Sequence, residues 1–266
     1  MPGYRAEPFP AGMAKRIPAG HEIVFQMHYT PIGTEQTDLS SLGMIFADPE
    51  TITHEVRTLS AVTNEFVIPP GASNHRVEAD TSEATFASKL LTMMPHMHLR
   101  GKAFKYELLY PDGKSEVLLD VPQYDFNWQT SYQLASHVDL PKGAKIHCVG
   151  HYDNSEENLN NPDASQTVVW GDQTWDEMFI GYFDVAFPID SESDLPFPPP
   201  RRDERRPTPE MIINRLDANK DGQLDVDEVP LFLRPRFKDV DSDGDGIITL
   251  EEMKEAFKRG RRRDND

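Results

Sequence analysis

Residues 103–121 read Ala-Phe-Lys-Tyr-Glu-Leu-Leu-Tyr-Pro-Asp-Gly-Lys-Ser-Glu-Val-Leu-Leu-Asp-Val. Two runs of strand formers flank Pro111-Asp112-Gly113. Asp-Gly between apolar runs signals a hairpin, because glycine supplies a positive φ without steric cost. Comparable short runs recur at 21–30, 42–47, 64–68, 85–94, 144–152 and 178–187, with further turn signals at Pro69-Pro70-Gly71 and Pro141-Lys142-Gly143. Within 21–30, Ile23, Phe25, Met27 and Tyr29 alternate with Val24, Gln26 and His28, which places the two sets on opposite faces of a strand. Many short strands at this spacing predict a mainly β fold, an antiparallel jelly-roll sandwich. Residues 153–177 hold few strand formers and many Asn, Asp, Pro and Gly. They are expected to form a long functional loop.

Composition narrows the function classes. The 266 residues include 27 Lys and Arg against 45 Asp and Glu, a net charge of −18. So acidic a chain disfavours nucleic acid, whose phosphates need a positive face. It suits hard cations and cationic partners. Mean hydropathy is −0.58, and no run approaches the ~18 apolar residues of a membrane span. Cys148 is the single cysteine, which excludes an internal disulfide and any cysteine-rich metal site. No secretory signal stands at Met1, so the chain is expected to be cytoplasmic or the tail of a longer precursor.

Charge and proline divide the chain. Residues 201–266 carry 15 Lys and Arg and 17 Asp and Glu, so most of the acidity lies before them. Asp194-Leu195-Pro196-Phe197-Pro198-Pro199-Pro200 forbids helix and favours stiff extended chain. Residues 191–206 are therefore expected to be a linker. Beyond them, within 207–266, the period becomes helical and Arg259–Asp266 reads as a frayed end.

Residues 217–228 form a full twelve-residue EF-hand loop. Asp217, Asn219, Asp221 and Asp225 supply oxygens, Gln223 its backbone carbonyl, and Glu228 a bidentate carboxylate, with Gly222 at the sharp turn. Residues 241–252 repeat it with Asp241, Asp243, Asp245, Ile247 by its carbonyl, Thr249 and Glu252, and with Gly246 at the turn. The alternating hard oxygens call for Ca2+. Leu224 and Ile248, at position eight of each loop, are placed to pair through a short β bridge. The short connection, broken by Pro230 and Pro235, predicts a compact pair with a structural or buffering role.

Among nine histidines, three features stand out. His96-Met97-His98 puts two imidazoles on one face of a strand. His28 lies within Gln26-Met27-His28-Tyr29, and Met178 within Asp176-Glu177-Met178. Histidine with thioether is a soft donor set that favours copper, Cu(I) above all. Read alone, the His-x-His pair is equally compatible with satisfied polar groups, and Met178 with a core position. His147 and His151 flank Cys148-Val149-Gly150 and read as polar lining or an auxiliary metal pair. Trp128, Trp170 and Trp175 read as packing residues.

Taken together and in order, these pieces resemble the copper type II, ascorbate-dependent monooxygenases, of the peptidylglycine α-hydroxylating and dopamine β-monooxygenase kind. The resemblance runs over about residues 21–188. It implies that residues 1–50 are the last strands of a first copper domain and that 51–190 are the second copper domain, a jelly roll. It implies a catalytic copper held by His96, His98 and Met178, and Tyr182 lining the substrate cleft. O2 would be activated there and a substrate C–H hydroxylated, while a second copper bearing His28 stores an electron supplied by ascorbate. Ile68-Pro69-Pro70-Gly71 matches a turn of the second domain.

Several positions depart from the family. The chain has no adjacent histidine pair, two of which would complete the His28 copper. It is therefore expected to be a C-terminal fragment whose partner is an upstream domain of the same polypeptide. Met94 and Ile180 stand where peptide-hydroxylating members place an arginine and an asparagine, so a small or extended organic substrate replaces a peptide C-terminus. Phe179 stands where the partner of Cys148 is expected. Family habit suggests a periplasmic or extracellular location. A non-catalytic copper-binding or delivery protein is the alternative reading, and a calcium-dependent structural module a third.

Overall fold

The computed structural model describes residues 8–29, 32–191, 195–198, 208–217, 219, 221–226, 228–229, 234 and 237–263. Along the chain run β1 (Met13–Ala14), β2 (His54–Thr63), β3 (Val67–Ile68), β4 (His75–Asp80), β5 (Ser88–His96), β6 (Gly101–Leu109) and β7 (Ser115–Val121). Then follow β8 (Tyr132–Leu140), β9 (Lys145–Tyr152), β10 (Val168–Val169) and β11 (Phe179–Pro188). The C-terminal part holds α1 (Pro209–Leu216), β12 (Leu224–Asp225), α2 (Phe237–Val240), β13 (Ile247–Ile248) and α3 (Leu250–Arg263). The protein is mainly β, as its turn-rich sequence requires.

Two sheets face each other. One has the strand order β1-β2-β11-β5-β8, the other β4-β9-β6-β7. The β6–β7 hairpin forms around Pro111-Asp112-Gly113, with Gly113 at φ 87°. Inward residues of both sheets share one core: Leu90, Met93, Phe183 and Val185 meet Phe104, Tyr106, Ile146 and Tyr152. Phe104 and Phe179 stack across it at 5.0 Å. The sheets pack tightly at Gly181, where an added Cβ would lie 2.5 Å from the Cys148 sulfur. Cys148 is free and fully buried.

Five strands lie outside the expected runs: the two-residue β1 and β10, the latter within the expected 153–177 loop, and the longer β2, β4 and β8. β4 and β8 are edge strands, so they carry fewer apolar residues. β2 is central but contains Glu55 and Arg57, which disguise its alternation. Glu55 is buried and accepts from Arg57 Nε at 2.5 Å. Conversely, the strands expected at 21–30 and 42–47 are absent among the described residues. The described residues of 15–48 are exposed and unpaired in any strand. Alternation specifies a strand only where a neighbour receives its backbone N–H and C=O groups.

The expected linker is partly docked. Phe197 is 4% exposed and meets the Phe183 ring edge-on at 5.8 Å. Thr85 N donates to Pro196 O at 2.7 Å, and Ser82 Oγ to Pro198 O at 2.7 Å. Asp194, Pro199, Pro200 and residues 201–206 lie outside the described residues, as do Pro230 and Pro235. At the other end, the expected fraying from Arg259 is not seen: α3 continues to Arg263. Among the described residues no helix is long and apolar enough to cross a membrane.

Because Phe197 fills core space rather than linking domains loosely, Phe197→Ala is expected to destabilise the β unit by about 3 kcal/mol. Urea unfolding followed by far-UV circular dichroism measures it. A change below about 1 kcal/mol would show that the segment contributes no packing.

Candidate metal centres

β5 and β11 pair antiparallel, with Ile180 opposite His96 and Tyr182 opposite Met94. Met97 and Phe179 point into the core and are fully buried. His96 is the last residue of β5, so His98 lies in the turn beyond rather than on the strand itself. The two imidazoles nevertheless converge, 5.3 Å apart between ring centroids and nearly perpendicular. The β5–β11 ladder ends at the Ile180–His96 pair, and Met178 lies two residues before Ile180, just ahead of β11. Met178 is half-buried.

Each imidazole is fixed through Nδ1. Gln129 Oε1 lies 2.6 Å from His96 Nδ1, and the Asp176 carbonyl lies 3.2 Å from His98 Nδ1. Gln129 is itself 2% exposed and donates through Nε2 to Phe126 O. The Asp176 carbonyl can only accept, so His98 carries its proton on Nδ1. The Gln129 amide, oriented by its own donation to Phe126, does the same for His96. Both Nε2 atoms keep a lone pair for a metal, which is how an outer hydrogen bond sets a ligating histidine. Burial pushes the His96 pKa down to about 4, against the raising effect of Gln129. Burial lowers His98 as well, with His28 adding a smaller lowering. Neutral imidazole, the ligating form, is thereby favoured.

Three residues that the sequence reading passed over hold this arrangement. Glu177 is fully buried. Its Oε2 accepts from His98 N at 2.8 Å and its Oε1 from Arg100 N at 2.7 Å. Burial pushes the Glu177 carboxyl up to about 8, while the backbone donors and the Arg100 charge pull it down. Arg100 is 2% exposed and donates to Asn154 Oδ1 and to Trp175 O. The third is Gln129. Glu177 lies within the Asp-Glu-Met piece and Arg100 two residues past the His-x-His piece, whereas Gln129 had no signal in sequence.

The second centre lies in the C-terminal part. Thr208 caps α1 by accepting from Met211 N, with Pro209 in the first turn. β12 and β13 pair Leu224 with Ile248, the bridge expected from position eight of each loop. Ile213, Leu216, Leu224, Phe237, Ile248 and Met253 form a small core beneath it. Gly222 and Gly246 adopt φ 84° and 86°, values that favour glycine. In the first loop Asp217 accepts from Asp221 N and Gly222 N, and Glu228 from Asn219 N and Asp225 N. In the second, oxygens of Asp241, Asp243 and Glu252 all lie within 4.8 Å of one another. Glu252 accepts from Thr249 N and Ser242 N, and these bonds hold its carboxyl down at about 2.

A family model for the copper type II ascorbate-dependent monooxygenase, C-terminal domain, matches residues 54–190. The chain belongs to this family. An EF-hand model matches residues 212–229 and 233–258, so the monooxygenase domain carries an appended EF-hand pair. No match was found among curated proteins. Among solved structures, the infectious bursal disease virus VP2 subviral particle is 11% identical, with a TM-score of 0.29 over 55% of this chain and 37% of that one. A protein of Sulfurospirillum deleyianum is 8% identical, with a TM-score of 0.20 over 51% of this chain and 99% of that one. Neither likeness carries any argument here.

The remaining site residues of this monooxygenase-family chain fall as follows. Tyr182 is half-buried, with its ring 6.3 Å from His96, and burial raises its pKa. His28 is exposed on the unpaired 15–48 stretch, close enough for its charge to disfavour protonation of His96 and His98. His147 is held by carboxylates, with Nδ1 2.6 Å from Asp80 and Nε2 3.6 Å from Glu78. Polar lining accounts for it. Trp128 and Trp175 are 57% and 60% exposed, contrary to the expected packing role. Trp170 packs against the core.

Gln129→Leu removes the acceptor from His96 Nδ1 at nearly constant volume. Copper affinity of the purified protein is expected to fall roughly 10- to 100-fold, the scale of outer hydrogen-bond losses. Competition with a chromogenic chelator reads the change. An unaltered affinity would show that the bond does not orient the ring.

Proposed function

We propose that this chain serves a copper-dependent monooxygenase that hydroxylates a C–H bond of an organic substrate with O2 and an external reductant such as ascorbate. The observation that carries the reading is the His96–His98 pair, two buried imidazoles with both Nδ1 atoms tied back and both Nε2 atoms free to ligate. His96 and His98 would hold the metal together with the Met178 thioether, a set suited to both Cu(I) and Cu(II). Bound copper supplies the one-electron and O2 chemistry that side chains lack. The chain's own residues present neutral ligands and shape the substrate wall. Met94, Ile180 and the Tyr182 ring offer no cationic anchor, so the substrate is a small or extended organic molecule without a required carboxylate.

The order β2-β11-β5-β8 facing β4-β9-β6-β7 supports a jelly roll as the scaffold. His28 would belong to the electron-storing copper. The EF-hand pair would bind Ca2+ through Asp217, Asn219, Asp221, Gln223, Asp225 and Glu228, and through Asp241, Asp243, Asp245, Ile247, Thr249 and Glu252. Metal types and family favour a periplasmic or extracellular setting. One observation favours the second reading, a copper-binding or delivery protein without turnover. His28 stands on a stretch with no strand partner, and the sequence has no adjacent histidine pair to join it.

Elemental analysis of protein purified without chelator is expected to find copper and calcium together. Calcium without copper would overturn the monooxygenase reading. Met178→Ala is expected to weaken Cu(I) binding by roughly tenfold or more, since a thioether favours Cu(I) over Cu(II). Equal Cu(I) affinity in the variant would remove Met178 from the site. Glu252→Gln is expected to weaken calcium binding at one of two sites and leave copper unchanged, as read by calorimetric titration. A titration identical to wild type would remove Glu252 from the calcium ligands.

A further inference from the structure

We propose that Glu177 is a positioning residue for the copper site, fixing the backbone that carries His98 and thereby the reach of the Met178 thioether. The inference rests on the copper reading above. Its basis is the division of labour within Asp176-Glu177-Met178. The Asp176 carbonyl receives His98 Nδ1–H. The Glu177 carboxylate receives His98 N–H at 2.8 Å and Arg100 N–H at 2.7 Å, one on each oxygen. Met178, the ligand proposed above, is the next residue along the chain. Two consecutive residues thus engage one imidazole's ring proton and its backbone, and the third is the proposed thioether ligand.

Two features set Glu177 apart from an ordinary structural carboxylate. Its backbone is anchored independently, with Glu177 N donating to Val169 O and Glu177 O accepting from Gly171 N. The side chain is therefore not needed to secure its own strand, and it reaches instead to the histidine turn. The surrounding network also stiffens the far side of that turn. Arg100 ties the turn to Asn154 and Trp175, and Asn154 donates to Pro69 O and Gln166 O. The Tyr124 hydroxyl donates to Met97 O and accepts from Met97 N. Every backbone group from Met97 to Arg100 named here ends on a side chain, not on a neighbouring strand. These bonds add to the backbone bonds Gly101 N to His98 O and Asp153 N to Arg100 O, and together they satisfy the turn's buried peptide groups. A carboxylate buried without these donors would be strongly unfavourable, so its placement and the turn's shape specify each other.

The test uses Glu177→Gln in the full chain, which keeps the shape but leaves one backbone N–H facing an amide that cannot accept it. Cu(I) affinity is expected to fall about 10- to 100-fold. X-ray absorption of the Cu(I) protein is expected to show weakened or lost sulfur scattering, with imidazole scattering retained. Met178→Ala added to Glu177→Gln is expected to lower Cu(I) affinity no further, because residues acting through one contact are non-additive. Full sulfur scattering in Glu177→Gln, or additive losses in the double variant, would overturn the inference. If Glu177→Gln does not fold, Glu177→Asp, which retracts the carboxylate by one methylene, is read by the same two measurements with the same outcomes. Wild-type protein that binds copper normally while Glu177→Gln matches it sinks this inference alone. Wild-type protein that takes up no Cu(I) sinks the copper reading and this inference with it.

Discussion

Both oxygens of the Glu177 carboxylate end on backbone N–H groups of the turn that follows β5. The turn between His96 and Gly101 leaves one sheet and enters the other, so the N–H groups of Met97, His98 and Arg100 are met by side chains rather than by a strand. Buried peptide groups need partners. Glu177 and Tyr124 supply several of them, while the Asp176 carbonyl faces the His98 ring, so the 175–178 segment is held against the histidines.

The sandwich makes this arrangement possible. β5 and β11 are adjacent interior strands of the five-stranded sheet, although residues 97–178 separate them along the chain. Their inward residues, Met93, Phe179 and Phe183, lie in the common core. Their outward residues at the β5 end are His96, Ile180, Met94 and Tyr182. Because side chains alternate strictly along a strand, packing Phe179 and Met97 inward obliges the flanking residues to face out. The site is thus a by-product of core register, sharpened by hydrogen bonds at its margin. The EF-hand pair achieves its geometry differently. There the ligands are local in sequence, and the loops shape themselves by accepting their own backbone N–H groups.

The difference between the two centres is electrostatic as well as topological. His96 and His98, the proposed copper ligands, are buried, so their neutral form is favoured, a form suited to a soft ion. The calcium loops are exposed and acidic. Glu252 is held ionised by backbone donors, a form suited to a hard dication.

The sequence by itself determined what is local. The Pro111-Asp112-Gly113 hairpin, both EF-hand loops with their glycines, and the Leu224–Ile248 bridge followed from neighbouring residues, because turn φ values and twelve-residue loops are short-range properties. The His-x-His pair was also legible. It could not be read that His98 lies beyond the strand, that Gln129 and Asp176 fix the two rings, or that Glu177 is buried beneath them. Nor could alternation at 21–30 reveal that no described strand receives it, or the charged pair in β2 reveal a central strand. Those outcomes depend on which distant segment supplies a hydrogen-bond partner. Only the closed sandwich brings such segments together.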